Sequence, residues 1–183
     1  EGKNENQFLK CKSYSNHSII GGNGNIYVNN IEFNLPDTPI LINGFQGQII
    51  SLNSCTLNIS TYEETIGSLN TSLIIINSSR LYLNSQHSSC IGNSKNPDFE
   101  INIESSTVFA VTEATEAPCI GSNKSSTSNC INIINSIVNG SIKSDESSSP
   151  VIGSSAFIRI DSSDLILKAT KGSSIGGGQI LKQ

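Results

Sequence analysis

The stretch Leu73-Ile74-Ile75-Ile76-Asn77-Ser78-Ser79-Arg80-Leu81-Tyr82-Leu83 decides the fold. Ile74 and Ile76 alternate with Ile75, Leu81 and Leu83 alternate with Tyr82, and the polar pair Asn77-Ser78 follows the first run. Alternation at period two makes a strand with one buried face. Asn and Ser side chains bond nearby backbone and favour bends. The stretch reads as strand, corner, strand.

Outward from it the same phrase returns five times. The first run recurs as Ile26-Tyr27-Val28, Ile50-Ser51-Leu52, Ile101-Asn102-Ile103, Ile131-Asn132-Ile133 and Ile158-Arg159-Ile160. Corner pairs follow as Asn29-Asn30, Asn53-Ser54, Glu104-Ser105, Ile134-Asn135 and Asp161-Ser162. The second run then aligns Phe33, Leu57, Val108, Val138 and Leu165 with Leu81, and Leu35, Ile59, Ala110, Gly140 and Leu167 with Leu83. Between phrases stand seven marks: Ile20-Gly21, Ile42-Asn43-Gly44, Ile66-Gly67, Ile91-Gly92, Ile120-Gly121, Ile152-Gly153 and Ile175-Gly176. Their isoleucines are 22, 24, 25, 29, 32 and 23 residues apart, one supersecondary unit that accepts loop insertions.

Short strands that return at this interval, with no helical periodicity between them, satisfy their backbone by pairing each strand with its copy one turn on. The expected fold is all-β: a single-stranded right-handed parallel β-helix of about seven coils, three short strands per coil, stacked about 4.8 Å apart. The hand follows from the preference of parallel crossovers. One domain spans residues 1–183, with a cap over 1–18 built from Phe8, Leu9 and Cys11, and repeat coils over 20–178. Gly176-Gly177-Gly178-Gln179-Ile180-Leu181 opens a further coil, so the C-terminus is expected to be truncated. The glycine after each isoleucine is expected at a tight corner.

At 36% hydrophobic and 5% aromatic residues, the composition supplies a narrow aliphatic core but not a broad one. The net charge of -4, with 11 unclustered Lys and Arg, argues against a nucleic-acid partner. No run approaches the length of a membrane span, so membrane insertion of this segment is not expected. The residues from Glu1 lack the basic start and apolar centre of a secretory signal, so the expectation is that any leader has been removed or there was none.

The Cys-Ile-Gly, Val-Ile-Gly and Ser-Ile-Gly-Gly-Gly marks, with the Ile-x-Ile corners, resemble the right-handed parallel β-helix superfold that includes pectate lyases. Within it they resemble the Ile-Gly-Gly-repeat regions of bacterial and protist surface proteins. The resemblance spans residues 20–178 and bears on architecture. Enzymes of that superfold carry clustered Asp, Lys and Arg or a Gly-His-Gly segment, and none is matched here.

A hydrolase would need paired carboxylates, and a lyase a cation site beside a base. Asp161 and Asp164 alone are close in sequence, at a corner and a strand start, while Arg80 and Arg159 lie in separate columns. No catalytic residue, cofactor or metal is assigned, and the polysaccharide lyase or hydrolase reading trails. His87, Cys90 and Cys119 lack an evident fourth zinc ligand. His17 and His87 read as exposed loop residues.

Cys90 and Cys119 precede Ile-Gly in successive coils and should be stacked neighbours. They read as buried reduced thiols in a column shared with Val151 and Leu41, with a disulfide as the alternative. Five cysteines leave at least one unpaired within the chain. Six sequons, at Asn16, Asn58, Asn70, Asn77, Asn123 and Asn139, offer glycan acceptors. With 22 Asn and 42 Ser plus Thr, chance alone supplies about five, so the count carries no compartment signal.

The outward positions of the second run, Asn34, Asn58, Tyr82, Phe109, Asn139 and Ile166, place two aromatics side by side. Tyr82 and Phe109 between Asn58 and Asn139 form a candidate carbohydrate face, rings against the sugar and amides to its hydroxyls. The favoured expectation is nonetheless that the wide loops after Ile91 and Ile120 cover it. Glu63, Glu64, Glu113, Glu116, Asp145 and Glu146 make an acidic ridge that could collect Ca²⁺ or simply keep a strand edge soluble. Two readings stand: a noncatalytic extracellular or cell-surface module for adhesion, display or carbohydrate binding, and a structural protein making protein-protein contacts along the rod. An intracellular scaffold is the alternative placement.

Overall fold

The computed structural model describes residues 7–8, 18–21, 24–35, 43–93, 98–122, 130–153, 157–176 and 179–182. The expected cap residues Leu9 and Cys11, together with Asn16, His17, Leu41, Ile42 and Asn123, lie outside them. Every described strand pairs in parallel with its copy in the next coil, and the described residues hold no helix. The first face stacks Ile26–Asn29, Ile49–Asn53, Leu73–Asn77, Glu100–Glu104, Cys130–Ile134, Phe157–Asp161 and Gln179–Lys182. The second stacks Gln7–Phe8, Ile31–Leu35, Thr56–Thr61, Arg80–Ser85, Thr107–Thr112, Ile137–Ile142 and Asp164–Lys168. A narrow third face joins Ser18–Gly21 to Asn43–Gln46 and Ile91–Gly92, Ile120–Gly121 and Ile152–Gly153 to one another, with single bridges at Ile66 and Ile175. This is a parallel β-helix, consistent with the right-handed form.

The register holds the aliphatic columns in single file. Ile50, Ile74, Ile101, Ile131 and Ile158 are successive partners on the first face, and Leu57, Leu81, Val108, Val138 and Leu165 on the second. Nearly all are fully buried, in one continuous core along the rod axis. Each coil hides its apolar side only by lying on the next.

The helix makes about five complete turns rather than seven. On the third face, Phe45, Ile66, Ile91, Ile120 and Ile152 have partners on both sides, whereas Ile20 and Ile175 have a described partner on one side only. The second mark also shifts. Phe45 pairs with Ile20 and Ile66, and Gly44 lies against the backbone carbonyl of Thr65, where no Cβ fits.

The corner between first and second faces is always tight. Its second residue, Asn30, Ser54, Ser78, Ser105, Asn135 or Ser162, adopts a positive φ of 47–54°. Non-glycine residues reach this left-handed region at some cost, and Asn does so most readily. A third corner residue then turns inward, a column the sequence reading passed over: Cys55, Ser79, Ser106, Ser136 and Ser163. Each serine hydroxyl donates to the carbonyl two residues back, as Ser106 Oγ does to Glu104 at 2.7 Å. It also accepts the amide of the previous coil: Ser79 N from Ser106 Oγ lies at 3.1 Å and Ser106 N from Ser136 Oγ at 3.2 Å. Ser106→Ala leaves the buried Ser79 N–H without its acceptor, while the Glu104 carbonyl keeps the Ser78 amide, so we expect a loss of about 1–3 kcal/mol in urea unfolding. A loss below about 0.5 kcal/mol, the ordinary surface value, would contradict the ladder's role.

Candidate functional site

The strands of the second face are parallel and in register, and every other side chain points outward. Its outward columns run along the rod axis: Arg80, Thr107, Ile137 and Asp164; Tyr82, Phe109, Asn139 and Ile166; Asn84, Val111, Ser141 and Lys168. Asn58 precedes Tyr82 in the middle column, and its Nδ2 donates to Asn34 Oδ1 at 3.0 Å.

Tyr82 and Phe109 stack with centroids 5.0 Å apart and planes 3° from parallel. Each ring has one face taken by the other, so the pair is not the two-ring floor that adjacent aromatics suggested. Instead the rings form one wall of a groove of about 190 Å³ that crosses three coils; Ser60, Asn84 and Val111 oppose them and Asn58 closes one end. Asn84 lines the groove, while its Oδ1 is itself shielded and lacks a hydrogen-bond partner among the described residues. Asn139 lies on the far side of Phe109 and does not line the groove.

The expected cover by the wide loops after Ile91 and Ile120 falls on 94–97 and 123–129, which lie outside the described residues. Tyr82 is 40% exposed and Ile166 55%. In chain order the extra residues of the two long coils fall between strands of different faces, at 93–99, 113–119, 122–129 and 143–151. None falls within a second-face strand.

Cys90 and Cys119 are buried free thiols in neighbouring coils. Cys90 Sγ donates to the Val111 carbonyl at 3.0 Å, and Cys119 Sγ to that of Ser141 at 3.0 Å. Burial pushes the Cys119 thiol up to about 12 and Cys90 well above the ordinary value, the latter helped by Cys119 beside it. Cys55 and the half-buried Cys130 are free too. His87 is exposed and packs on the Tyr62 ring, centroids 4.2 Å apart. Among the described residues no three His, Cys, Asp or Glu side chains converge as a metal site.

The acidic ridge is only partly solvated. Glu64 turns inward, 8% exposed, and accepts from Ser88 Oγ at 2.7 Å and Asn93 Nδ2 at 2.8 Å. Glu113 pairs with Lys143 at 3.6 Å. Glu116, Asp145 and Glu146 are exposed. Asp161 is held at its corner by Arg159 at 3.3 Å and by the Ser162 hydroxyl at 3.0 Å, while Asp164 is exposed on the next strand. Of the sequons, Asn70 is exposed in a turn, whereas Asn58, Asn77 and Asn139 are half-buried on the sheets.

The class that fold and site define is a parallel β-helix with one open, amphipathic face. No protein family, curated protein or solved structure matches the chain, and the likeness to Ile-Gly-Gly surface repeats rests on its motifs alone. No helix among the described residues is long and apolar enough to cross a membrane.

Proposed function

We propose that the chain is a noncatalytic binding module, displayed outside the cell or at its surface, whose second face holds a saccharide. The observation that carries this reading is the open groove between the Tyr82-Phe109 stack and Asn84. A sugar there sets C–H groups against the aromatic wall and its hydroxyls against the polar Asn58, Ser60 and Asn84 that also line the groove. The rigid sheet beneath holds both walls in place, which lowers the entropic cost of ordering on binding.

A glycan array followed by calorimetry tests it. The unmodified chain is expected to bind a restricted saccharide set, and Tyr82→Ala to weaken that binding about tenfold or more with the circular dichroism spectrum unchanged. Asn84→Ala should weaken it without altering ring contact. An array without hits, or affinity indifferent to Tyr82→Ala, would sink the reading.

A second reading, a structural protein that contacts other chains along the rod, is favoured by Ile137 and Ile166, 46% and 55% exposed on this same face.

A further inference from the structure

The charges of the second face are arranged so that the face complements itself. We propose that this face is the interface of a homodimer in which two copies lie face to face with their rod axes antiparallel. This rests on the structural reading and is independent of saccharide binding.

Two ways of laying the face on a copy of itself about an in-plane two-fold axis follow the sheet's own directions. With the axis along the strands, columns stay matched and coil order reverses about the midpoint between Thr107 and Ile137. Arg80 then faces the second copy's Asp164, Tyr82 faces Ile166, Asn84 faces Lys168, and Thr107 faces Ile137. One position beyond the paired Thr112 and Ile142, Glu113 faces Lys143 of the other copy and closes a four-charge cluster with the ion pair already present in each chain.

With the axis along the rod, coil order stays and columns reverse. Arg80 then faces Gln86, Lys143 faces Ile137, Glu113 faces Thr107 and Tyr82 faces Asn84. No opposite charges meet, and the exposed Ile137 and Ile166 each face a lysine, Lys143 and Lys168. Charge complementarity selects the first arrangement because like or unmatched charges across an interface are costly. Every contact in it occurs twice, as an isologous interface requires.

The footprint is modest. Four outward columns about 6.7 Å apart and four coils about 4.8 Å apart span roughly 20 by 15 Å, below the usual area of a permanent interface. The dimer is therefore weak, concentration-dependent and loosened by salt. It also covers the groove, so a ligand bound there would compete with it.

Sedimentation equilibrium over a range from on the order of 10 µM to 1 mM reads the dissociation constant of the full chain. Arg80→Glu alone and Asp164→Arg alone each place like charges opposite one another twice per dimer, and each is expected to weaken association about tenfold or more. Arg80→Glu with Asp164→Arg is expected to restore the original constant. Within one chain the two positions are three coils apart, about 14 Å and beyond a Debye length at physiological salt, so repair inside a monomer cannot mimic this rescue. Circular dichroism on all three variants checks that they fold. A chain monomeric at every concentration overturns the proposal. A dimer indifferent to the single reversals, or a double variant without rescue, also overturns it, though the structural reading would then survive through another surface.

Discussion

Gly121→Val is expected to cost about 3–5 kcal/mol and to leave little folded protein at physiological temperature. Gly121 has φ of +112°, outside the region that a branched side chain tolerates, and a Cβ built on it would run into the carbonyl oxygen of Gly153 one coil on. The Gly153 backbone cannot retreat, because Ile152 and Gly153 are paired to Ile120 and Gly121 and Gly153 O accepts the Ser122 amide at 2.7 Å. Gly121→Ala carries the backbone strain with less bulk and should fall between the two. Gly24 is the control, since it has open space around its Cβ position and no positive φ, and Gly24→Ala should lie within about 0.5 kcal/mol of the parent. Urea denaturation of the three variants decides the matter. A loss below about 1 kcal/mol for Gly121→Val would show that the third face yields more than its pairing implies.

Alkaline pH should unfold the chain through its buried thiols. In the folded state Cys119 ionises only near 12, against an ordinary 9.0, and Cys90 is raised as well, both because burial disfavours the thiolate. The unfolded chain gives up these protons first, so folding stability is whole below pH 9 and falls as pH climbs through 12. Cys119 alone accounts for about 4 kcal/mol across that window. Val151 occupies the same inward position one coil on, so Cys119→Val keeps an aliphatic of suitable size in the column. Urea midpoints followed from pH 8 to 11 should fall steeply for the parent and less steeply for Cys119→Val, which removes the Lys and Tyr contributions common to both. Parallel slopes would mean that the thiolate is accommodated without unfolding. For the same reason native Cys90 and Cys119 should resist alkylation near neutral pH.

The architecture was legible because it depends on spacing. Ile74, Ile101 and Ile131 recur before a polar pair, and two strands around a fixed corner admit one parallel stacking. The pairing of Tyr82 with Phe109 followed from that register; the stacking of their rings did not, since it depends on side-chain rotamers that no spacing encodes. Ile42-Asn43-Gly44 misled because it copies the mark's composition while Phe45 fills its column: here the glycine precedes the core residue, and it is needed to clear Thr65. The serine ladder was visible as the recurring third corner residue. It was missed because Ser at a bend is ordinarily read as solvent-facing, and its burial is fixed by the left-handed residue before it. Glu64 was assigned to a solvated ridge on composition, but Ser88 and Asn93 from later segments of the chain draw it inward.

The three corners differ in what they allow. Between first and second faces, exactly one left-handed residue and one inward serine or cysteine separate the strands in each coil from Asn53 to Asp164. A third residue there would turn the next strand inside out. From Gly67 to Phe157 the connection from third to first face runs from three to eight residues, and from Thr61 to Ile152 that from second to third runs from four to nine. The molecule is thus a prism with one riveted edge and two elastic ones. Descendants of this sequence can grow, shrink or redecorate along two edges while the broad face between the riveted edge and its neighbour keeps its shape.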